Sequence, residues 1–325
     1  MKRKQSGLRI MSRLIVLVKP LSGFMCLAVL LGVLGFLCAI QITVAGSLTL
    51  LTAAKISGGI AIKTGCICII IFAVLRGFLH YGEQACNHYI AFKLLALIRD
   101  KVFKAMRRLS PAKLDGKDKG NLVSVITSDI ELLEVFYAHT ISPTCIAILT
   151  CLIMLIFIGR YSIWLSLVAL AAYITVGAVI PLVSSRLNKN AGMTYRDGSG
   201  ALSGFVLDSM RGLLESIRYN STDKRLEEMD KKTDELNSLQ DRLKKIEGHT
   251  GAVTDIAIIF FSVAMLLTGI ALYQKGVIGF DGMIVSTVSM MSSFGPVAAL
   301  SGLAGNLTHT LAAGERVLGI LDENP

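Results

Sequence analysis

Charge is scarce in this sequence. Only 17% of its 325 residues are Asp, Glu, Lys or Arg, where soluble domains carry about 25%, while 53% are hydrophobic and the mean hydropathy is +0.63. Those proportions exclude most soluble enzymes, and they exclude a disordered chain, which needs low hydrophobicity and high net charge. Proline is scarce too, and six residues leave little room for a many-turned β architecture. A phosphate-cradling G-x-x-x-x-G-K-[ST] loop is missing. The nearest fragment, Gly116-Lys117-Asp118, lacks both the earlier glycine and the hydroxyl residue. The apolar stretches hold no acid/base pair, nucleophile constellation or metal-spaced cluster, so an intramembrane enzyme is a weak reading.

What is present is a helical membrane protein. The formal net charge of +10 does not indicate nucleic acid as a partner, because the basic residues lie between apolar runs instead of gathering on one soluble surface. The seven cysteines (26, 38, 66, 68, 86, 145, 151) fall mostly within apolar runs, where Cys acts as a small hydrophobe. Cys66 and Cys68 point to different helix faces, so a shared metal ion is not expected. The N-terminus carries six Lys/Arg before an apolar run too long for a signal-peptide core, and it reads as an uncleaved first span.

About 20 apolar residues cross a bilayer as a helix. Six stretches qualify: 21–44, 58–79, 141–158, 163–183, 252–273 and 282–303. The second is weakest, with Lys63 near its start and its cleanest apolar part at 67–79. Residues 1–20 hold six Lys/Arg, 80–140 hold nine and 184–251 hold twelve, whereas the opposite loops hold only Lys55, Arg160 and Lys275. The positive-inside rule therefore predicts that both termini and both long connections are cytoplasmic.

Structureless connections of that length are improbable in a compact protein. Ile90, Leu94, Leu97, Ile98, Val102, Met106 and Leu109 follow helical spacing. Met210, Leu213, Leu214 and Ile217 repeat it, and Met229, Leu236, Leu239, Leu243 and Ile246 continue it. Both connections read as helical hairpins that extend the spans. Their turning points are expected at Ser110-Pro111 through Gly120-Asn121 and at 192–204, where Gly198 and Gly200 stand.

This architecture resembles the transmembrane domain of an ATP-binding-cassette (ABC) exporter: an all-α membrane protein of six spans with two long cytoplasmic hairpins. Leu109-Ser110-Pro111-Ala112-Lys113-Leu114, followed by Gly120-Asn121-Leu122-Val123-Ser124 and the run to Asp129, is similar to that family's first intracellular loop. The C-terminal run from Ala313 to Pro325 resembles its linker. Leu-Ser-Pro-Ala, Ile141-Ser142-Pro143 and Asn87-His88-Tyr89-Ile90-Ala91-Phe92 are most similar to the CydC-type subunit of the exporter of cysteine and glutathione. The resemblance divides the chain into a basic N-terminus (1–20), a six-helix domain (21–303) and a linker (304–325) toward a nucleotide-binding domain.

The resemblance implies a permease in the cell membrane that moves a small solute by alternating access. It implies a second half-transporter as partner, as a heterodimer or homodimer, with ATP and Mg acting through an attached or separate nucleotide-binding domain. This chain alone is expected not to hydrolyse ATP. A scaffold or regulator that keeps the fold without transport is the alternative reading. Ala112, Lys113, Leu114, Asp115 and Gly116 would form the first coupling tip, with Tyr195 and Arg196 as contacts in the second. His88 matches a histidine associated with haem, and His80 is a poorer candidate. Asp255 reads as a first-turn carboxylate of the fifth span. Gln41, Thr43, Ser289, Ser292, Ser293 and Asn306 could line a polar path, although membrane serines also serve packing. Pro181 and Pro296 are expected to kink their helices.

Overall fold

A computed structural model describes residues 7–17, 19–56, 60–110, 125–187, 191–300 and 303–323. The expected first tip, Ala112 to Gly116, lies outside them. The elements are α1 (Gly7–Leu17), α2 (Ser22–Ala53), α3 (Ile62–Leu109), α4 (Ile130–Phe136), α5 (Ser142–Gly159), α6 (Ile163–Ile174), α7 (Ile180–Leu187), α8 (Ala191–Arg211), α9 (Leu213–Arg218), α10 (Thr222–Gln274), α11 (Phe280–Ser292), α12 (Phe294–Ala299) and α13 (Leu303–Leu321). Six helical segments are long and apolar enough to cross a membrane, starting at Lys19, Ile62, Ser142, Ile163, Thr222 and Phe280.

Two of these helices are far longer than a bilayer is thick. α3 has 48 residues and α10 has 53, so at ~1.5 Å per residue they reach roughly 70 and 80 Å. The membrane helices thus continue into the hairpins without interruption. Asp255 accordingly stands deep inside α10 and not in a first turn, which removes the helix-dipole explanation for it.

α2 and α3 pack antiparallel along most of the membrane, with α2 also touching α5 and α11. Their approach needs glycine: a Cβ on Gly65 would fall 1.8 Å from Thr49 Oγ1. A membrane core joins Ile40 and Val44 of α2 to Met154, Ile158, Leu165, Ala169, Tyr173, Met265, Met290 and Phe294. A second core lies on the side of the chain ends. There Ile90, Leu94, Ile98 and Val102 of α3, from the predicted apolar face, pack with Ile10, Leu14, Ile130, Leu133, Tyr137 and Val317.

The fourth span is not one regular helix. Pro181 cannot donate to the carbonyl of residue 177, and the turn just before it, Thr175–Val179, is a π-turn between α6 and α7. The sixth span breaks at Ser293, three residues before Pro296. Ser162 caps α6 by accepting from the Trp164 backbone N–H at 3.3 Å. All seven cysteines are free.

Candidate functional site

The second hairpin turns later than the sequence suggested. Residues 192–204 form an unbroken part of α8, and Gly198 faces α10, where a Cβ in its place would make ordinary contact with Leu236 and Leu239 at 3.4 and 3.5 Å. The chain breaks instead at Gly212, runs through the six-residue α9 and reverses at Asn220, whose φ of +50° is a left-handed turn conformation. Ser221 N–H donates to the Ser216 carbonyl at 2.9 Å to close the turn. Tyr195 therefore stands half-buried on the shaft of the hairpin, as does the Arg196 backbone, whose side chain lies outside the described residues.

α9 exposes what a helix in water ordinarily buries. Leu213 is 50% exposed, Leu214 74%, Ile217 59% and Tyr219 82%. The periodicity of these residues was legible, but it marks an uncovered face. α9 lies about 30 residues from the apolar part of α10, roughly 45 Å at ~1.5 Å per residue, so lipid does not explain it. Leu213, Leu214, Ile217 and Tyr219 together form an exposed apolar patch of the kind found on interaction surfaces.

The shaft behind this tip is held together by charge and packing. Glu227 and Lys231 pair at 3.0 Å, as their i,i+4 spacing predicts. Lys232 stands 5.5 Å over the Phe205 ring of α8, with Arg225 also 5.3 Å from it.

The C-terminal helix is fastened to the opposite hairpin base. Arg316 of α13 pairs with Asp129, which is 1% exposed. Burial pushes the Asp129 carboxyl above its ordinary range, while the Arg316 charge opposes that shift. Arg13 of α1 grips Asp322 with two hydrogen bonds of 2.5 and 2.6 Å, and the Tyr137 hydroxyl donates to the Leu14 carbonyl at 2.8 Å. Sequence reasoning missed this fastening, because its partners stand 187 and 309 residues apart.

Within the membrane, Thr43 and Ser292 meet at 2.7 Å, and Tyr173 and Ser293 at 2.5 Å. Both contacts sit at the break between α11 and α12. Ser289 is buried with no hydrogen-bond partner. His88 of α3 is exposed, and its ring stacks on Phe92 with 6.1 Å between centroids.

Over residues 23–297 the sequence matches the family described as ABC transporter transmembrane region. The chain belongs to that family. It is 42% identical over 322 residues to a probable ABC transporter ATP-binding/permease protein of Haemophilus influenzae, covering 99% of this chain and 58% of the relative. It is 22% identical over 259 residues to the glutathione/L-cysteine transport system ATP-binding/permease protein CydC of the same organism, covering 78% of this chain and 44% of CydC. An ATP-dependent lipid A-core flippase of Shewanella frigidimarina is 30% identical over 123 residues, 38% of this chain and 20% of the flippase. The chain thus spans about half the length of these two Haemophilus influenzae relatives.

Proposed function

We propose that this ABC transmembrane domain is the permease part of an ATP-driven exporter of a small solute, with a thiol such as cysteine or glutathione as its cargo. The observation that carries the coupling part of this reading is the uncovered apolar face of α9 at the end of a rigid hairpin. That turn would seat in a groove of a nucleotide-binding domain, and residues 112–116 would form the companion contact. Because α10 runs without a break from the tip into a span, displacement of the tip moves the span as a rigid body. The Arg316–Asp129 pair ties α13, the helix leading toward the C-terminus, to the same assembly.

Both termini and the hairpins are cytoplasmic in this reading, by the Lys/Arg excess on that side. A second half-transporter completes the translocation path, as a heterodimer. The thiol assignment rests on resemblance to CydC and on the named transport system of that relative. Haem rests on resemblance alone. The exposed His88 imidazole could serve as an axial ligand, but a macrocycle also needs an apolar slot, and His88 does not line the cavity at Arg76, His80 and Glu83.

The test is transport by proteoliposomes holding the chain with the ATP-binding part of the Haemophilus relative. ATP-dependent movement of cysteine or glutathione is expected. Association with that ATP-binding part and no ATP-dependent movement of any small solute would return the scaffold reading.

A further inference from the structure

α3 carries a polar stripe within its apolar stretch. Arg76, His80, Glu83 and Asn87 follow one another at i, i+4, i+7 and i+11, which places them on one helix face. Arg76 falls inside the part read as cleanly apolar. It stands 14 residues after Ile62, about 21 Å along the helix at ~1.5 Å per residue. An arginine at that depth is costly unless it is paired or faces a polar cavity. Arg76 has no hydrogen bond and no ion pair among the described residues.

It does face a cavity. Arg76, His80 and Glu83 line a space of about 70 Å³ with Gly32, Gly35 and Phe36 of α2. Glycine keeps this space open: a Cβ on Gly32 would lie 3.2 Å from Glu83 Cδ and 2.3 Å from Ile146. Glu83 is only 6% exposed. His80 Nδ1 lies 3.1 Å from its Oε2, and Asn87 Nδ2 donates to Oε1 over a long 3.4 Å. A carboxylate has about four acceptor positions, so two remain. The Asn87 Oδ1 atom beside it is buried and has no partner.

The two ends of this stripe ask for opposite groups. Arg76 offers five N–H donors in a planar fork suited to a carboxylate. The Glu83 end has unused carboxylate acceptor positions suited to an ammonium. A plain anion would meet the Glu83 charge, and a plain cation would meet Arg76. A zwitterion satisfies both, and the cavity has room for a head of only a few heavy atoms, since one water occupies about 30 Å³ of liquid.

We propose that the Arg76/His80/Glu83 cavity between α2 and α3 binds the zwitterionic head of an α-amino-acid-like solute, Arg76 taking its carboxylate and Glu83 its ammonium. The ligand's side chain would leave through the open side of the cavity. The inference deepens the small-solute reading of the proposed function, but it needs no thiol.

The experiment is equilibrium binding of radiolabelled L-serine and L-cysteine to the full chain in lipid nanodiscs. N-acetyl-L-serine, which lacks the ammonium, and ethanolamine, which lacks the carboxylate, are the competitors. Both amino acids should bind, and each competitor should be at least about tenfold weaker. R76Q and E83Q should each weaken L-serine about tenfold or more, with R76K between R76Q and the native chain. If either variant fails to fold, the competitor series on the native chain decides the matter. N-acetyl-L-serine binding as well as L-serine, with E83Q unchanged, would replace the zwitterion site by a plain anion site and overturn the proposal. Absence of binding, with R76Q altering only chain-to-chain association, would assign Arg76 to a subunit contact and also overturn it. Equal affinity for L-serine and L-cysteine would remove the thiol preference while supporting the head-group site.

Discussion

Replacing Arg316 by alanine would strand a buried charge. The Asp129 carboxylate is 1% exposed, and its Oδ2 has no hydrogen-bond partner, so Arg316 on Oδ1 is its counter-charge. Removing one partner of a fully buried pair costs about 3–5 kcal/mol. The Arg316 side chain is 52% exposed, so water would enter where it stood, and the expected loss is nearer about 2 kcal/mol. D129N, which removes the charge but keeps the shape, should stay within about 1 kcal/mol of the native chain, and D129N/R316A should recover most of the loss. The Arg13–Asp322 pair is more exposed, at 35% and 43%, and R13A should cost under about 1 kcal/mol.

The same pair gives a pH signature. Burial holds the Asp129 pKa above its ordinary value in the folded chain. A group shifted that way contributes stability that is fully present below its unfolded pKa and lost as pH rises through the folded one. Without Arg316 the folded pKa rises further, so the R316A deficit should be fully present at pH above the folded pKa and shrink as pH falls toward the ordinary carboxylate range. Thermal unfolding in detergent, followed by the fraction that stays monodisperse, reads both effects. R316A as stable as the native chain at every pH, or D129N as damaging as R316A, would refute the reasoning.

Two further pairs of substitutions probe the membrane part. G65A drives a Cβ into Thr49 and should cost about 1–3 kcal/mol, and T49G in the same chain should restore melting; no restoration would contradict the described α2–α3 contact. Y173F removes the 2.5 Å contact to Ser293 and should lower stability by about 0.5–1 kcal/mol, near the average for hydrogen bonds between membrane helices. S293A should do the same, and the pair together should lose little more than either alone, as a double-mutant cycle would show.

The spans were legible because lipid imposes one rule on every helix that crosses it. Apolar runs of the required length stand out in the sequence, and the predicted spans 21–44, 163–183 and 252–273 lie within helices that also carry the qualifying apolar stretch, while 141–158 starts one residue before its helix and 282–303 runs past the Phe280–Ala299 segment. The second predicted span, 58–79, begins before α3 does. Position along the hairpins was less legible. Gly198 and Gly200 look the same in sequence whether they open a turn or stand inside a helix, and in α8 Gly198 faces Leu236 and Leu239 while a Cβ on Gly200 would meet nothing within 4 Å. The real reversal carries weaker signals, a lone Gly212 and Asn220 around an apolar hexamer that reads as ordinary core. Long-range pairs such as Arg316 with Asp129 leave no local trace at all. Arg76 was visible in the sequence but was passed over inside an otherwise apolar run.

In the proposed function, ATP-driven motion enters the membrane domain through α9. The direct measurement is affinity between this chain and the ATP-binding part of the Haemophilus influenzae relative, for the native chain, for L214E/I217E at the tip and for Y195A on the shaft. Placing charge on a desolvated apolar contact should lower affinity about tenfold or more in L214E/I217E, and Y195A should match the native chain. Unchanged binding by L214E/I217E, with affinity lost in Y195A, would contradict the account and return the contact to the shaft.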